Sequence, residues 1–189
     1  MKRNWLLPAA LIVALVQIAV LASMIAGRTA ILRNGQDVVL EVQPVDPRDL
    51  LRGDYVTLGY NISSLSRDIF TSPENGIEGE HWVFVRLQEG ENGIWQPVAA
   101  RLDTPFEDET PAGQVMIKGM MTDAWRDQER LSVVYGIERF YLPEGQGRQI
   151  EADMRQREFR MRVAVAADGT PQIKAFLDGG TMLYEEPLY

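Results

Sequence analysis

Few side chains in this 189-residue chain could carry out chemistry, and their types and spacing limit what that chemistry would be. There is no cysteine, which removes thiol nucleophiles, disulfides and thiolate metal sites together. The one histidine, His81, follows closely on Glu78 and Glu80. A lone imidazole with two acids offers a divalent-ion site at most, and its loop-to-strand setting favours a solvated cluster. The acidic run Glu107, Asp108 and Glu109 lacks the alternating ligand spacing of an EF-hand. No serine has a histidine near it in sequence, and no glycine-rich phosphate loop occurs. Carboxylates remain. Were Asp54, Glu138 and Glu144 to converge, mutual repulsion would raise their pKa values and create an acidic pocket. The plainer alternative pairs Glu138 with one of the arginines. The reading is of no catalytic residue, no metal and no cofactor.

Charge and hydropathy decide where such residues sit. Lys and Arg number 19 against 27 Asp and Glu, a formal charge of −8, which argues against a nucleic-acid partner. Residues 5–27 hold no charge and are broken only by Pro8, Gln17 and Ser23. A helix rising 1.5 Å per residue over that length crosses a hydrocarbon core of roughly 30 Å. Lys2 and Arg3 precede it, so the positive-inside tendency puts the N-terminus in the cytoplasm, a preference that Arg28 and Arg33 weaken without reversing. Cleavage after Val20-Leu21-Ala22 would instead release a secreted binding protein. The apolar run continues through Met24, Ile25 and Ala26, however, longer than a signal-peptide core, and favours an uncleaved anchor. The chain thus divides into a transmembrane anchor at 1–27, a linker at 28–36 and an extracytoplasmic domain at 37–189.

The outer part has the period-two patterning of strands. Val38, Leu40 and Val42 share one face; so do Phe159, Met161, Val163 and Val165, and Leu131, Val133, Tyr135 and Ile137. Residues 81–87 and 115–121 are apolar on both faces and predict central strands. Asn92-Gly93 and Asp168-Gly169 predict hairpins with type I′ turns. Helical signal is confined to short candidates at 46–49, at Leu65 with Ile69, and at 149–158. Residues 72–76 and 104–113 read as loops, and Trp82, Trp95 and Trp125 as core. The fold class is mainly β, a β-rich α+β domain, barrel-like or sandwich-like, behind one transmembrane helix.

One stretch is more specific. Residues 44–62 read PVDPRDLLRGDYVTLGYNI, and GDYVTLGY at 53–60 resembles the motif of the GDYXXLXY protein family. The short N-terminal anchor and the later YGIERFYLPEG at 135–145 are similar to that family too, so the resemblance covers most of the chain beyond the anchor. It implies an uncharacterised, usually bacterial, membrane-anchored protein, often encoded beside multi-spanning membrane proteins, and it brings no catalytic role. Read physically, Val56, Leu58, Tyr60 and Ile62 share one face of a strand, with Leu58 and Tyr60 in the core. Gly53 suits a tight backbone position, and Asp54 and Tyr55 are the motif residues available for binding.

The lead-in LRGDYV also resembles the start of the first barrel strand in membrane-anchored signal peptidases. Those enzymes use a serine nine residues before the aspartate and a lysine base of lowered pKa. Here that position is Val45, and the outer domain has only Lys118 and Lys174. The expectation is therefore a non-enzymatic accessory module of the bacterial envelope, bound to the membrane through residues 5–27 and acting beside a multi-spanning membrane protein. A divergent envelope hydrolase with a carboxylate or serine site is the alternative.

Overall fold

The computed structural model describes residues 5–44, 55–71, 79–121, 129–141 and 157–187. Among the described residues a helix, α1 (Leu6–Asn34), is followed by eleven strands. These are β1 (Gln36–Pro44), β2 (Tyr55–Tyr60), β3 (Ser64–Ser66), β4 (His81–Glu89), β5 (Trp95–Leu102), β6 (Gln114–Met121), β7 (Arg130–Val134), β8 (Arg139–Tyr141), β9 (Phe159–Val165), β10 (Pro171–Asp178) and β11 (Thr181–Glu185). They form two antiparallel sheets. One has six strands in the order β11-β10-β9-β1-β2-β8, the other five in the order β3-β7-β6-β4-β5.

Alternation along the strands builds the core. Val38, Leu40 and Val42 of β1 turn inward against Phe159, Met161, Val163 and Val165 of β9, all buried. Strands β4 and β6, the apolar pair of the sequence reading, lie in the middle of the second sheet. The six-stranded sheet curls into a half barrel around four aromatic rings. Phe140 on β8 reaches across to Phe176 and Tyr184 at the opposite end of the strand order, with ring centroids 5.5 and 5.3 Å away. Phe176 stacks on Phe159 at 5.1 Å. Trp95 is buried, but Trp82 is 47% exposed, contrary to the core placement expected of it, because its ring lies on the outer face under the Lys118 ammonium.

Both expected hairpins form, with a different turn chemistry. Type I′ needs positive φ at both central residues, and neither Asn92 nor Asp168 has it. Instead each loop has three residues closed by a left-handed glycine, Gly93 (φ 71°) or Gly169 (φ 87°). Gly90 N–H bonds to the Ile94 carbonyl and Ala166 N–H to the Thr170 carbonyl. That is the type I turn with a glycine bulge, the next-commonest hairpin closure. Leu65 and Ile69 do not share a helix: Leu65 belongs to β3, and a single 3-10 turn follows at Arg67–Ile69. The helix candidates at 46–49 and 149–158 fall wholly or mostly outside the described residues.

Packing is tight where the second sheet crosses the core. A Cβ added to Gly119 on β6 would lie 2.5 Å from Val133 Cγ1 and 2.8 Å from the Tyr135 ring. Gly119→Ala is therefore expected to destabilise the domain by about 1–3 kcal/mol through overpacking. A denaturation midpoint equal to the wild type's would show that Val133 and Tyr135 yield freely and would refute this account.

Between helix and sheet the expected linker at 28–36 is not a loose connection. α1 continues to Asn34 and β1 begins at Gln36, leaving Gly35 alone between them. Gly35 N–H caps the helix on the Ile31 carbonyl at 2.8 Å. No side chain fits there, since a Cβ would come within 2.6 Å of that oxygen and 3.0 Å of the Val165 carbonyl. The last two turns dock on the domain: Leu32 is 1% exposed, and Arg28 pairs with Glu186 at 2.5 Å. The preceding apolar side chains, Leu7 to Ile25, are all exposed.

Candidate functional site

The motif strand β2 belongs to a ribbon shared by both sheets. Its C-terminal end turns at Asn61–Ser63 and continues as β3 in the second sheet. Antiparallel to it, β7 leaves the second sheet through residues 135–138 and continues as β8 in the first. β2 pairs with β8 and β3 with β7, so one two-stranded ribbon bends from one sheet into the other.

At the bend each strand holds the other by a tyrosine. Tyr60 Oη donates to the Ile137 carbonyl at 2.6 Å, and Tyr135 Oη donates to the Ile62 carbonyl at 2.9 Å. Both rings are buried, at 1% and 6% exposure. Leu58 N–H bonds to the Glu138 carbonyl at 2.8 Å, Val133 N–H to the Ser63 carbonyl at 2.9 Å. Gly136, with φ 79°, supplies the left-handed residue that lets the second strand turn. The Glu138 carboxylate accepts the Tyr135 N–H at 2.6 Å, so its described partner is backbone rather than the arginine expected. Burial first, and the Glu138 charge second, push both phenols well above their ordinary pKa. They stay protonated and act as donors, not as bases.

A second tie joins the sheets nearby. Asn61 accepts the Glu41 N–H at 3.2 Å and donates to the Trp95 carbonyl at 2.7 Å, linking β1 to β5 across the sandwich. This holds the side chain of the Asn61-Ile62-Ser63 tripeptide inside the fold.

Of the predicted site residues, the structure thus brings Leu58, Tyr60 and Glu138 together. Leu58 and Tyr60 are core, as their strand face implied, and the Tyr60 hydroxyl bond is buried. The Tyr55 backbone opens β2 opposite Tyr141. Gly53, Asp54 and Glu144 lie outside the described residues, so the acidic convergence of Asp54 with Glu138 and Glu144 falls there too. Sequence reasoning placed Tyr135 in a core strand but missed its hydroxyl bond. The Tyr-Gly-Ile-Glu string, a tyrosine before a glycine at the end of an alternating run, was the available signal.

Among the described residues, the histidine and both outer-domain lysines have acidic partners. His81 Nδ1 bonds to Asp103 Oδ2 at 2.7 Å at the surface, and no group of three or more His, Asp or Glu suited to a metal occurs among the described residues. The Lys118 ammonium faces Asp168 at 3.6 Å. Asp168 is itself held below the usual carboxylate range, first by the Thr170 backbone N–H and then by the Thr170 hydroxyl and Lys118. Lys174 pairs with Asp37 at 2.9 Å. Both lysines of the outer domain are thus ion-paired, which leaves the signal-peptidase analogy without the buried neutral amine it needs. Arg86, 8% exposed, pairs with Asp108 at 2.8 Å, its guanidinium 3.9 Å above the Phe106 ring. An open recess of about 440 Å³ lies where α1 ends, bordered by Asn34, Gln36, Thr110, Gln114, Met116 and Ala167, with no titratable residue in its wall.

Against this geometry, the profile of the GDYXXLXY protein family matches residues 17–176. The chain belongs to the GDYXXLXY family. No curated protein and no solved structure gives a significant match. Membership of the GDYXXLXY family brings no activity with it, but the structure explains part of the motif: its Leu and final Tyr, here Leu58 and Tyr60, seat and lock the bend of the shared ribbon. The family match begins inside α1, at Gln17, and ends in β10, so the second part of the apolar helix and most of the domain lie within one matched unit. That helix is long and apolar enough to cross a membrane, and its most apolar 18-residue stretch is unburied by the protein.

Proposed function

We propose that this GDYXXLXY protein is a single-pass, non-enzymatic accessory module of the bacterial envelope, its N-terminus cytoplasmic and its β domain outside, acting beside a multi-spanning membrane partner. The observation that carries the reading is the union of α1 with the sheet: Gly35 as the sole connecting residue, Leu32 buried and Arg28 paired with Glu186. Such a union holds a domain at the membrane surface, where a neighbouring membrane protein would meet it. The pairing of His81 with Asp103, of Lys118 and Lys174 with carboxylates, and of Glu138 with backbone adds support, because a catalytic site needs convergent groups beside a cavity.

The test is affinity capture of the tagged full-length protein from native membranes in mild detergent, read by mass spectrometry, beside a folded Asp54→Ala/Tyr55→Ala variant. One stoichiometric multi-spanning protein is expected with the wild type and its loss with the variant. Reproducible recovery of no membrane protein would overturn the accessory reading.

A further inference from the structure

We infer that strand β11 is the edge of the domain that rests on the bilayer, with Met182 and Leu183 seated in the lipid headgroup layer. The inference rests on α1 spanning the membrane, as proposed above, and follows from where that helix crosses the sheet. One row of residues runs across the first sheet. Asp37 on β1 is opposite Ala164 on β9, and Ala164 is opposite Gln172 on β10. Close by on β10, Lys174 reaches Asp37 through its ammonium and takes the Glu186 N–H on its carbonyl, which brings in the end of β11.

α1 meets this row at both ends of its docked part. Gly35 lies against Val165 on β9, and Arg28 bonds to Glu186 beyond β11. From Gly35 back to Arg28 the helix covers roughly 10 Å at 1.5 Å per residue. Three strand spacings, from β1 to β11, are about 14 Å; the arginine side chain spans the difference. The helix axis therefore crosses the strands steeply and leaves the sheet over its β11 edge. The residues before Arg28 are the exposed apolar span, so the bilayer begins beside that edge.

The edge has the chemistry of an interface. Successive residues of a strand point to opposite faces, yet both Met182 and Leu183 are exposed, at 51% and 46%. Among the described residues β11 pairs only with β10, which leaves its outer peptide groups open. Open peptide groups exclude a place in the hydrocarbon core. In the headgroup layer, water satisfies them while apolar side chains reach the acyl boundary. Glu186, the acid that meets the helix, is neutralised by Arg28, while the neighbouring Glu185 at the end of β11 is exposed to water and the polar headgroups.

The chain's lack of cysteine makes the test direct. Full-length Met182→Cys, Leu183→Cys, Val98→Cys and Val16→Cys proteins, each labelled with a polarity-sensitive fluorophore, are reconstituted in phosphatidylcholine/phosphatidylglycerol vesicles. All four side chains are exposed in the protein, so labelling leaves the core intact. Blue-shifted emission at 182 and 183, with quenching by shallow nitroxide lipids several-fold stronger than at 98, is the expected result, alongside strong quenching at 16 by deep nitroxide lipids. Labels at 182 and 183 as water-exposed as the one at 98, with 16 quenched, would overturn the inference and leave the anchor standing. An unquenched label at 16 would overturn the anchor reading and this inference with it.

Discussion

Replacing Tyr60 by alanine is expected to lower the stability of the full-length protein by about 3–5 kcal/mol, the range for deleting a fully buried aromatic ring. The ring is 1% exposed at the bend where β2 leaves the first sheet, and its hydroxyl is bonded to the Ile137 carbonyl. Tyr60→Phe separates the two contributions. It keeps the ring and leaves a buried carbonyl without its donor, a loss of about 1–3 kcal/mol. Chemical denaturation in detergent micelles checks both, and a Phe variant as damaged as the Ala variant would mean the ring fills no essential space. The raised phenol pKa adds a pH signature. A group whose folded pKa lies above its unfolded one contributes stability that is complete below the unfolded value and declines as pH rises toward the folded one. The wild type should therefore lose stability above the ordinary phenol pKa of about 10, and Tyr60→Phe should lose less over the same window. Equal slopes would sink that part of the argument.

Phe176→Ala is expected to have a comparable effect, about 3–5 kcal/mol, with a distinct spatial pattern. Phe176 stacks on Phe159 and touches Phe140, and Phe140 alone among these rings lies on β8. The edge strands β8 and β11 of the curled sheet share no ladder, and the contacts of Phe140 with Phe176 and Tyr184 bridge its two ends. Losing the central ring should open that seam before it disturbs the second sheet. Hydrogen exchange reads this directly: amides at 139–141 should speed up more than those of β4 and β6. Uniform acceleration, or none at β8, would show that the seam does not depend on the aromatic stack.

Legibility in the sequence followed the range of the interaction. The faces of β1, β2 and β9 could be read because alternation is local and one face is buried. Leu58 and Tyr60 were placed in the core for that reason. The tyrosine bonds could not be read, since their partners lie 77 and 73 residues away and nothing in a single chain pairs Tyr60 with Ile137. Both hairpins were located by their glycines, but Asn-Gly and Asp-Gly serve a three-residue loop as well as a two-residue one, so their turn type was misjudged. The linker was misread for a different reason. Loss of the apolar run at Arg28 marks where an apolar segment ends, not where a helix does, and the burial of Leu32 accompanies the continuation of the helix to Asn34. Glu138 was assigned to an arginine on charge alone; the nearby Tyr135 N–H, freed where the ladder ends, takes its carboxylate instead.

The single glycine between α1 and β1 also determines reach. A flexible tether over positions 28–36 would let a domain wander about 15–18 Å from the helix that precedes it. With the last turns of the helix docked and only Gly35 intervening, that freedom is gone; with α1 as the membrane anchor proposed above, the domain would stand at one height above the bilayer. So held, it would not reach a binding site far above the lipid. A tilt of the helix becomes an equal swing of the whole sandwich, so the protein behaves as a rigid post whose far face registers what happens to its foot.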